Sequence, residues 1–195
     1  LHLFPCLPLK IGLGNYIESM EKGADTIILT GSCGPCRFGY YGIVEKEILK
    51  NNGYTMDVVI LDTPGLDPKV FAQRIKKISG NSPWPKIARA FLQASKVVTQ
   101  VDELLDICLQ KRPREQKKGE TDRILASFEK EILDCHGSRE ILGFIDKYKT
   151  IFLKIKERSN PNPLKIGLVG EIYTLIEPYV NLNIEKKLGD LGVEV

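Results

Sequence analysis

Apolar positions in the first third of the chain switch between two spacings. Leu9, Leu13, Ile17 and Met20 recur three or four apart, the period of a helix with one apolar face, and Gly23 is a stop signal. Asp25 to Leu29 is a short, nearly continuous apolar run, as expected of a buried strand. Phe38 to Asn51 returns to helical spacing, with Tyr41, Val44, Ile48 and Leu49 on one side and Gly53 just beyond the end. Met56 to Leu61 (MDVVIL) is a second buried strand. The order helix, strand, helix, strand predicts a parallel sheet joined by helical crossovers. Ahead of it, Leu1 to Pro8 is apolar with two prolines, which favours extended backbone.

The period changes at Pro68. Val70 to Ser79, Lys86 to Gln110, Asp122 to Cys135 and Arg139 to Lys156 all carry helical spacing, with no strand pattern before about Arg158. Their breaks fall at GNSPWP, at the basic run with Pro113, and at HGS. Ser159 to Pro163 (SNPNP) is a stiff polar linker. Leu164 to Val169 then predicts a strand, Leu175 to Leu188 a helix, and Val193 to Val195 a strand. The expected organisation is a partial first α/β lobe over 1–67 with the cysteine motif, a helical region over 68–160, and the start of a second α/β lobe over 161–195. The first residue is not methionine and the last four are GVEV, the pattern of a piece cut from a longer chain.

Composition narrows the class. At 195 residues, 43% apolar and 27% charged, the chain has enough core-forming material for one good core or two modest ones. A net charge of +3 is too small to argue for nucleic acid. The run KRPREQKK (111–118) has no aromatic interleaving and is expected to be a solvated connection between helices. No apolar run approaches the ~18 residues that span a bilayer. The first ten residues lack the basic start and apolar region of a secretion signal. Five cysteines, an odd and unevenly spaced set, fit reduced thiols in the cytoplasm better than a disulfide framework.

Candidate chemistry concentrates in Thr26 to Tyr41, TIILTGSCGPCRFGYY, where a strand runs through a tight turn into a helix. Such a turn leaves side chains and N–H groups free at the carboxyl edge of the strand. Cys33 and Cys36 bracket Gly34 and Pro35 there, a C-x-x-C that fits a dithiol couple, half a zinc site or part of an iron–sulfur site. CGPC is also the thioredoxin string, but Ser32 stands where tryptophan is usual, and helices follow where a cis-proline strand and hairpin are needed. A zinc site lacks its second C-x-x-C pair. Cys6, in the setting FPCLPLK, supplies a third thiolate, with Cys135 or His136 as a remote fourth ligand. Three thiolates and one open position suit a [4Fe–4S] cluster, and the competing reading is thiols simply buried in turns.

Other features carry less. Arg37 can donate to a cluster sulfur or an anionic ligand, or lie exposed. Cys108, amid Leu104, Leu105 and Ile107, is expected to pack in a core, Cys135 and His136 to be structural at a helix end, and Trp84 to anchor a helix start. Asp62 to Gly65 (DTPG) mimics a GTPase switch motif, yet no phosphate-cradling loop occurs in the chain. Gly12 to Asn15 (GLGN) lacks the third glycine of a dinucleotide fingerprint.

The string CLPLKIGLGNYIESMEKGADTIILTGSCGPCRFGYYG (6–42) resembles the cysteine-rich region of proteins related to 2-hydroxyacyl-CoA dehydratases. More narrowly, it resembles the dehydratase-like portion of CoA-substrate-specific activase-related proteins. The string KIGLVGEIYTLIEPYVNLNIEKKLGDLGVEV (165–195) is similar to the opening of that family's second lobe, with Gly170 to Tyr173 as its mark. The resemblance implies an α/β fold of Rossmann-like parallel-sheet lobes with a helical insertion between them. It also implies a [4Fe–4S] cluster on Cys6, Cys33 and Cys36. In that family an ATP-dependent activator protein injects an electron, and radical dehydration or reduction of an acyl-CoA follows. Nothing here resembles the activator's ATP-binding portion, and the chain is shorter than a two-lobe subunit. Two alternatives accompany this reading: a non-catalytic or regulatory module of the same fold that docks through its helical region, and a thioredoxin-like dithiol oxidoreductase.

Overall fold

The computed structural model describes residues 6–31, 37–61, 67–159 and 162–195. It is mainly helical, 63% of the chain, with two small parallel sheets of two strands each among the described residues. The chain forms two compact units, Leu1–Ile87 and Ala88–Val195.

In the first unit α1 (Leu7–Glu21) opens with Pro8 in its first turn, where a missing N–H costs nothing. It closes at Gly23, whose φ of 98° suits glycine alone, with the Gly23 and Ala24 N–H groups donating back to Met20 and Ser19. β1 (Thr26–Thr30) pairs in parallel with β2 (Asp57–Leu61), Ile28 beside Val59, and α2 (Tyr41–Asn51) is the crossover between them. The ladder runs one bond past each end. Asp57 N–H donates to Asp25 at 2.9 Å and Gly31 N–H to Leu61 at 2.7 Å.

The crossover packs unusually close. A Cβ at Gly42 would stand 2.8 Å from Ile60 Cδ1 and 3.4 Å from Leu29 Cδ1, so glycine lets α2 rest directly on both strands. α3 (Pro68–Ile78) starts at Asp67, whose carboxylate accepts from the Lys69 and Val70 N–H groups, with Pro68 at the first helical position. Arg74 donates to the Ile60 carbonyl and Lys77 pairs with Asp57, which ties α3 to β2.

α4 (Trp84–Lys111) begins at the end of the first unit and runs into the second. Trp84 is half exposed at its start, with the Lys76 ammonium 5.1 Å from the ring. The second unit's core joins Leu104 and Cys108 of α4 to Phe128 of α5 (Glu120–Glu131) and to Ile145, Tyr148 and Phe152 of α6 (Gly137–Leu153). Phe128, Phe144 and Tyr148 form an aromatic triangle with centroids 4.8 to 5.8 Å apart.

The segment 111–118 does connect helices, and it is solvated in part: Gln116, Lys117 and Lys118 are exposed, but two of its charges are not. Arg112 and Glu115 are buried, 6% and 2% exposed. Arg112 donates to Asp122, and Lys186 reaches the same carboxylate at 2.9 Å. Glu115 accepts from the Gly119 and Thr121 N–H groups and the Thr121 hydroxyl, satisfying donors at the α5 N-terminus. These bonds replace the water that the charge run was expected to keep.

Two expectations near the C-terminus change. Residues 175–188 are not one helix: α7 (Ile172–Ile176) and α8 (Ile184–Asp190) flank a turn. Pro178 has no N–H and turns Glu177 extended, and Leu182 and Asn183 both adopt left-handed backbone, φ 58° and 56°. The strand expected over 164–169 narrows to β3 (Leu164–Lys165), because its partner β4 (Val193–Glu194) pairs only that far before one last bond, Ile166 N–H to Glu194.

Replacing Phe152 with Ala should cost about 3–5 kcal/mol by emptying the centre of the second unit. Urea unfolding followed by far-UV circular dichroism measures it, and a loss under 1 kcal/mol would mean this core is not the source of stability.

Candidate functional site at the carboxyl edge of the parallel strands

Parallel pairing sends the segments that follow β1 and β2 out from one edge of the sheet. Gly31 and Leu61, joined by the last ladder bond, are the points of departure. Cys33 and Cys36 follow Gly31 and lie outside the described residues, as does the DTPG stretch after Leu61. The chain resumes at Arg37 in a short 3-10 turn, Arg37–Tyr40, which leads into α2. The side chain of Arg37 is also outside the description.

Cys6 belongs to the same edge, for a reason that lies in helix direction. Gly12 of α1 faces Glu45 of α2. Further along, Leu13 and Ile17 share a cavity of about 270 Å³ with Ile48, Leu49, Asn52 and Tyr54. Both chains advance together, so the two helices run in the same direction. Six residues back from Gly12 is Cys6, and six back from Glu45 is Gly39, a climb of roughly 9 Å along each helix axis. Cys6 therefore stands at the level of the 3-10 turn that follows the CGPC segment. It immediately precedes α1 and is exposed.

The remaining cysteines lie in the second unit. Cys108 is 2% exposed in the core, as its apolar neighbours predicted, and burial pushes its thiol up to about 12. Cys135 is half-buried after the 3-10 turn Ile132–Asp134, its thiol raised by burial and then by Glu140 and Asp134. His136 is exposed, and its N–H donates to the Glu140 carboxylate at 2.8 Å at the start of α6. Among the described residues no three His, Cys, Asp or Glu side chains are grouped to hold a metal.

One residue of this region was not legible as special. Glu45 is 2% exposed in the α1/α2 seam, while Val44, expected on the apolar side, is 40% exposed. A Cβ at Gly12 would lie 2.8 Å from Glu45 Oε1, so the carboxyl occupies the space that glycine leaves. Tyr16 hydrogen-bonds to the Glu45 side chain, and Glu45 Oε2 has no hydrogen-bond partner among the described residues. Burial pushes Glu45 up to about 7, against the Tyr16 hydrogen bond, which favours the ionised form. The signal available in sequence was a pair of helical glycines, Gly12 and Gly42, opposite and one turn before this carboxylate.

Thiolates are soft ligands that suit iron in kind, and of the three expected ligands Cys6 is described and accessible. No protein-family model, curated protein or solved structure matches this chain. No helix of the described residues is long and apolar enough to cross a membrane.

Iodoacetamide at pH 8 should modify Cys6 in the native protein and leave Cys108 untouched until urea is added. Peptide mass spectrometry reads both sites. Equal native rates would mean that the second unit's core opens freely.

Proposed function

We propose that this chain is an iron–sulfur protein related to 2-hydroxyacyl-CoA dehydratase components, built on Rossmann-like lobes. In this reading Cys6, Cys33 and Cys36 hold a [4Fe–4S] cluster for electron transfer or for radical dehydration or reduction of an acyl-CoA. The observation that carries it is directional. α1 and α2 run in the same direction, so Cys6 lies at the edge from which the segment bearing Cys33 and Cys36 departs. In this reading Cys6, distant in sequence from the Cys33–Cys36 pair, joins that pair at one end of one small sheet. The resemblance over 6–42 supplies the chemistry, and that end of a parallel sheet is where α/β proteins mount it.

When bound, such a cluster supplies low-potential one-electron chemistry. The chain's part is to deliver thiolates from two helix starts and to leave a coordination position open to substrate or solvent. An ATP-dependent activator protein is the electron donor in this reading, and an acyl-CoA is the substrate.

Anaerobic reconstitution tests it. Wild type should take up about four irons and four sulfides per chain, with a brown absorption that bleaches on reduction. Cys6→Ser should lose most of that iron, and Cys135→Ser should keep it. A colourless wild type overturns the cluster. Full iron in Cys6→Ser overturns the ligand set and leaves Cys33 and Cys36 acting as a pair.

A further inference from the structure

We infer that Glu45 is a proton-operated latch between α1 and α2, closed when its carboxyl is neutral and released when it ionises, and that it thereby positions Cys6. The latch stands on packing alone, and its consequence for Cys6 rests on the ligand reading above.

The geometry has three parts. The Glu45 carboxyl is sealed in the seam and fills the space left by Gly12. One of its oxygens meets Tyr16 and the other meets nothing that can donate among the described residues. A neutral carboxylic acid tolerates that setting at modest cost, whereas a carboxylate with one bare oxygen must either find water or leave. Water is reached by lifting α1 off α2.

Among the described residues nothing charged offsets this. The titratable group facing Glu45 from α1 is Tyr16, and the strands beneath α2 present Leu29 and Ile60 beside Gly42. No charged side chain of a described residue acts on the carboxyl. α1 is also lightly held: Leu9 is its single buried residue, at 9% exposure, and Ile11, Leu13, Ile17 and Met20 are only half-buried. An element with so little buried apolar surface opens locally at low cost. Because Cys6 immediately precedes α1, docking of α1 sets where that thiol stands relative to the strand edge.

The sign follows from proton linkage. The closed state holds the Glu45 proton up to about pH 7, while the open state releases it near the ordinary value of 4.5. Closed α1 binds more protons, so closure is fully favoured below about 4.5 and weakens as pH rises to about 7. Between pH 6 and pH 8 the opening constant should rise about tenfold.

Amide hydrogen exchange of peptides covering α1, corrected for intrinsic rates, reads this directly on the whole chain. Wild type should lose about tenfold protection in α1 between pH 6 and pH 8. Glu45→Gln, neutral and of the same shape, should show no such change. Tyr16→Phe, which removes the bond favouring the ionised form, should shift the wild-type transition to higher pH. Equal pH dependence in wild type and Glu45→Gln overturns the latch, as does an unshifted transition in Tyr16→Phe. A chain that takes up no iron at either pH yet shows the tenfold change supports the latch and overturns the cluster reading.

Discussion

The parallel pairing of β1 with β2 is the constraint from which the first unit follows. Two parallel strands cannot be joined by a tight turn, so the chain must cross over the sheet, and α2 is that crossover. Gly42 then lets α2 settle onto Leu29 and Ile60 at a distance no side chain would permit. Gly12 of α1 leaves the space that the Glu45 carboxyl of α2 fills, and the seam between the two helices encloses it. The same pairing sends the segments after Gly31 and Leu61 out side by side. Strand direction thus determines both where chemistry can be mounted and why a carboxyl is trapped beneath it.

The second unit treats a buried carboxylate in the opposite way. Glu115 is as enclosed as Glu45, at 2% exposure, yet it meets three donors from Gly119 and Thr121. Its own carbonyl accepts from Arg158, and Gln116 donates to Lys156, so the connection 111–118 is stitched to the segment after α6. Arg112 continues the network through Asp122 to Lys186, and Gly189 of α8 lies against its methylenes. Lys111, Arg112, Arg114 and Glu115 each have a partner there, whereas Lys117 and Lys118 stay exposed. Glu115 fastens a loop, whereas Glu45, with one oxygen bare, holds its seam only on condition of a proton.

Most of the first unit was legible because its signals are local. Gly23 and Gly53 stop helices at positive φ, the runs 25–29 and 56–61 have the length of strands, and the cysteine motif sits where a strand passes into a helix. The helices α4, α5 and α6 were legible from period alone. What escaped depends on partners distant in sequence or on competing local rules. The burial of Arg112 is set by Asp122, Lys186 and Gly189, none of which its neighbours announce. The split at Pro178 was masked by apolar spacing that continues on both sides of the turn. Glu45 was hidden because a glutamate on a surface-like helix is ordinarily solvated, and only the opposing glycine makes it otherwise. At the site itself the alignment of α1 with α2 brings Cys6 to the strand edge, while Cys33 and Cys36 fall outside the described residues.

The magnitudes explain why a single proton can matter to an element fifteen residues long. Fully burying one leucine-sized side chain contributes about 1.5–3 kcal/mol, and α1 has one buried residue, Leu9, beside several half-buried ones. Leaving a buried polar atom unpaired costs about 1–3 kcal/mol, and more when the group is charged. Gain and cost are therefore of the same order, and the balance turns on whether Glu45 is ionised. In the second unit the comparison would be hopeless for the proton, because Leu104, Ile145 and Phe152 are all fully buried in one core. A titrating carboxyl gains control over conformation only where packing is thin, and in this chain the thin packing lies under the helix that Cys6 begins.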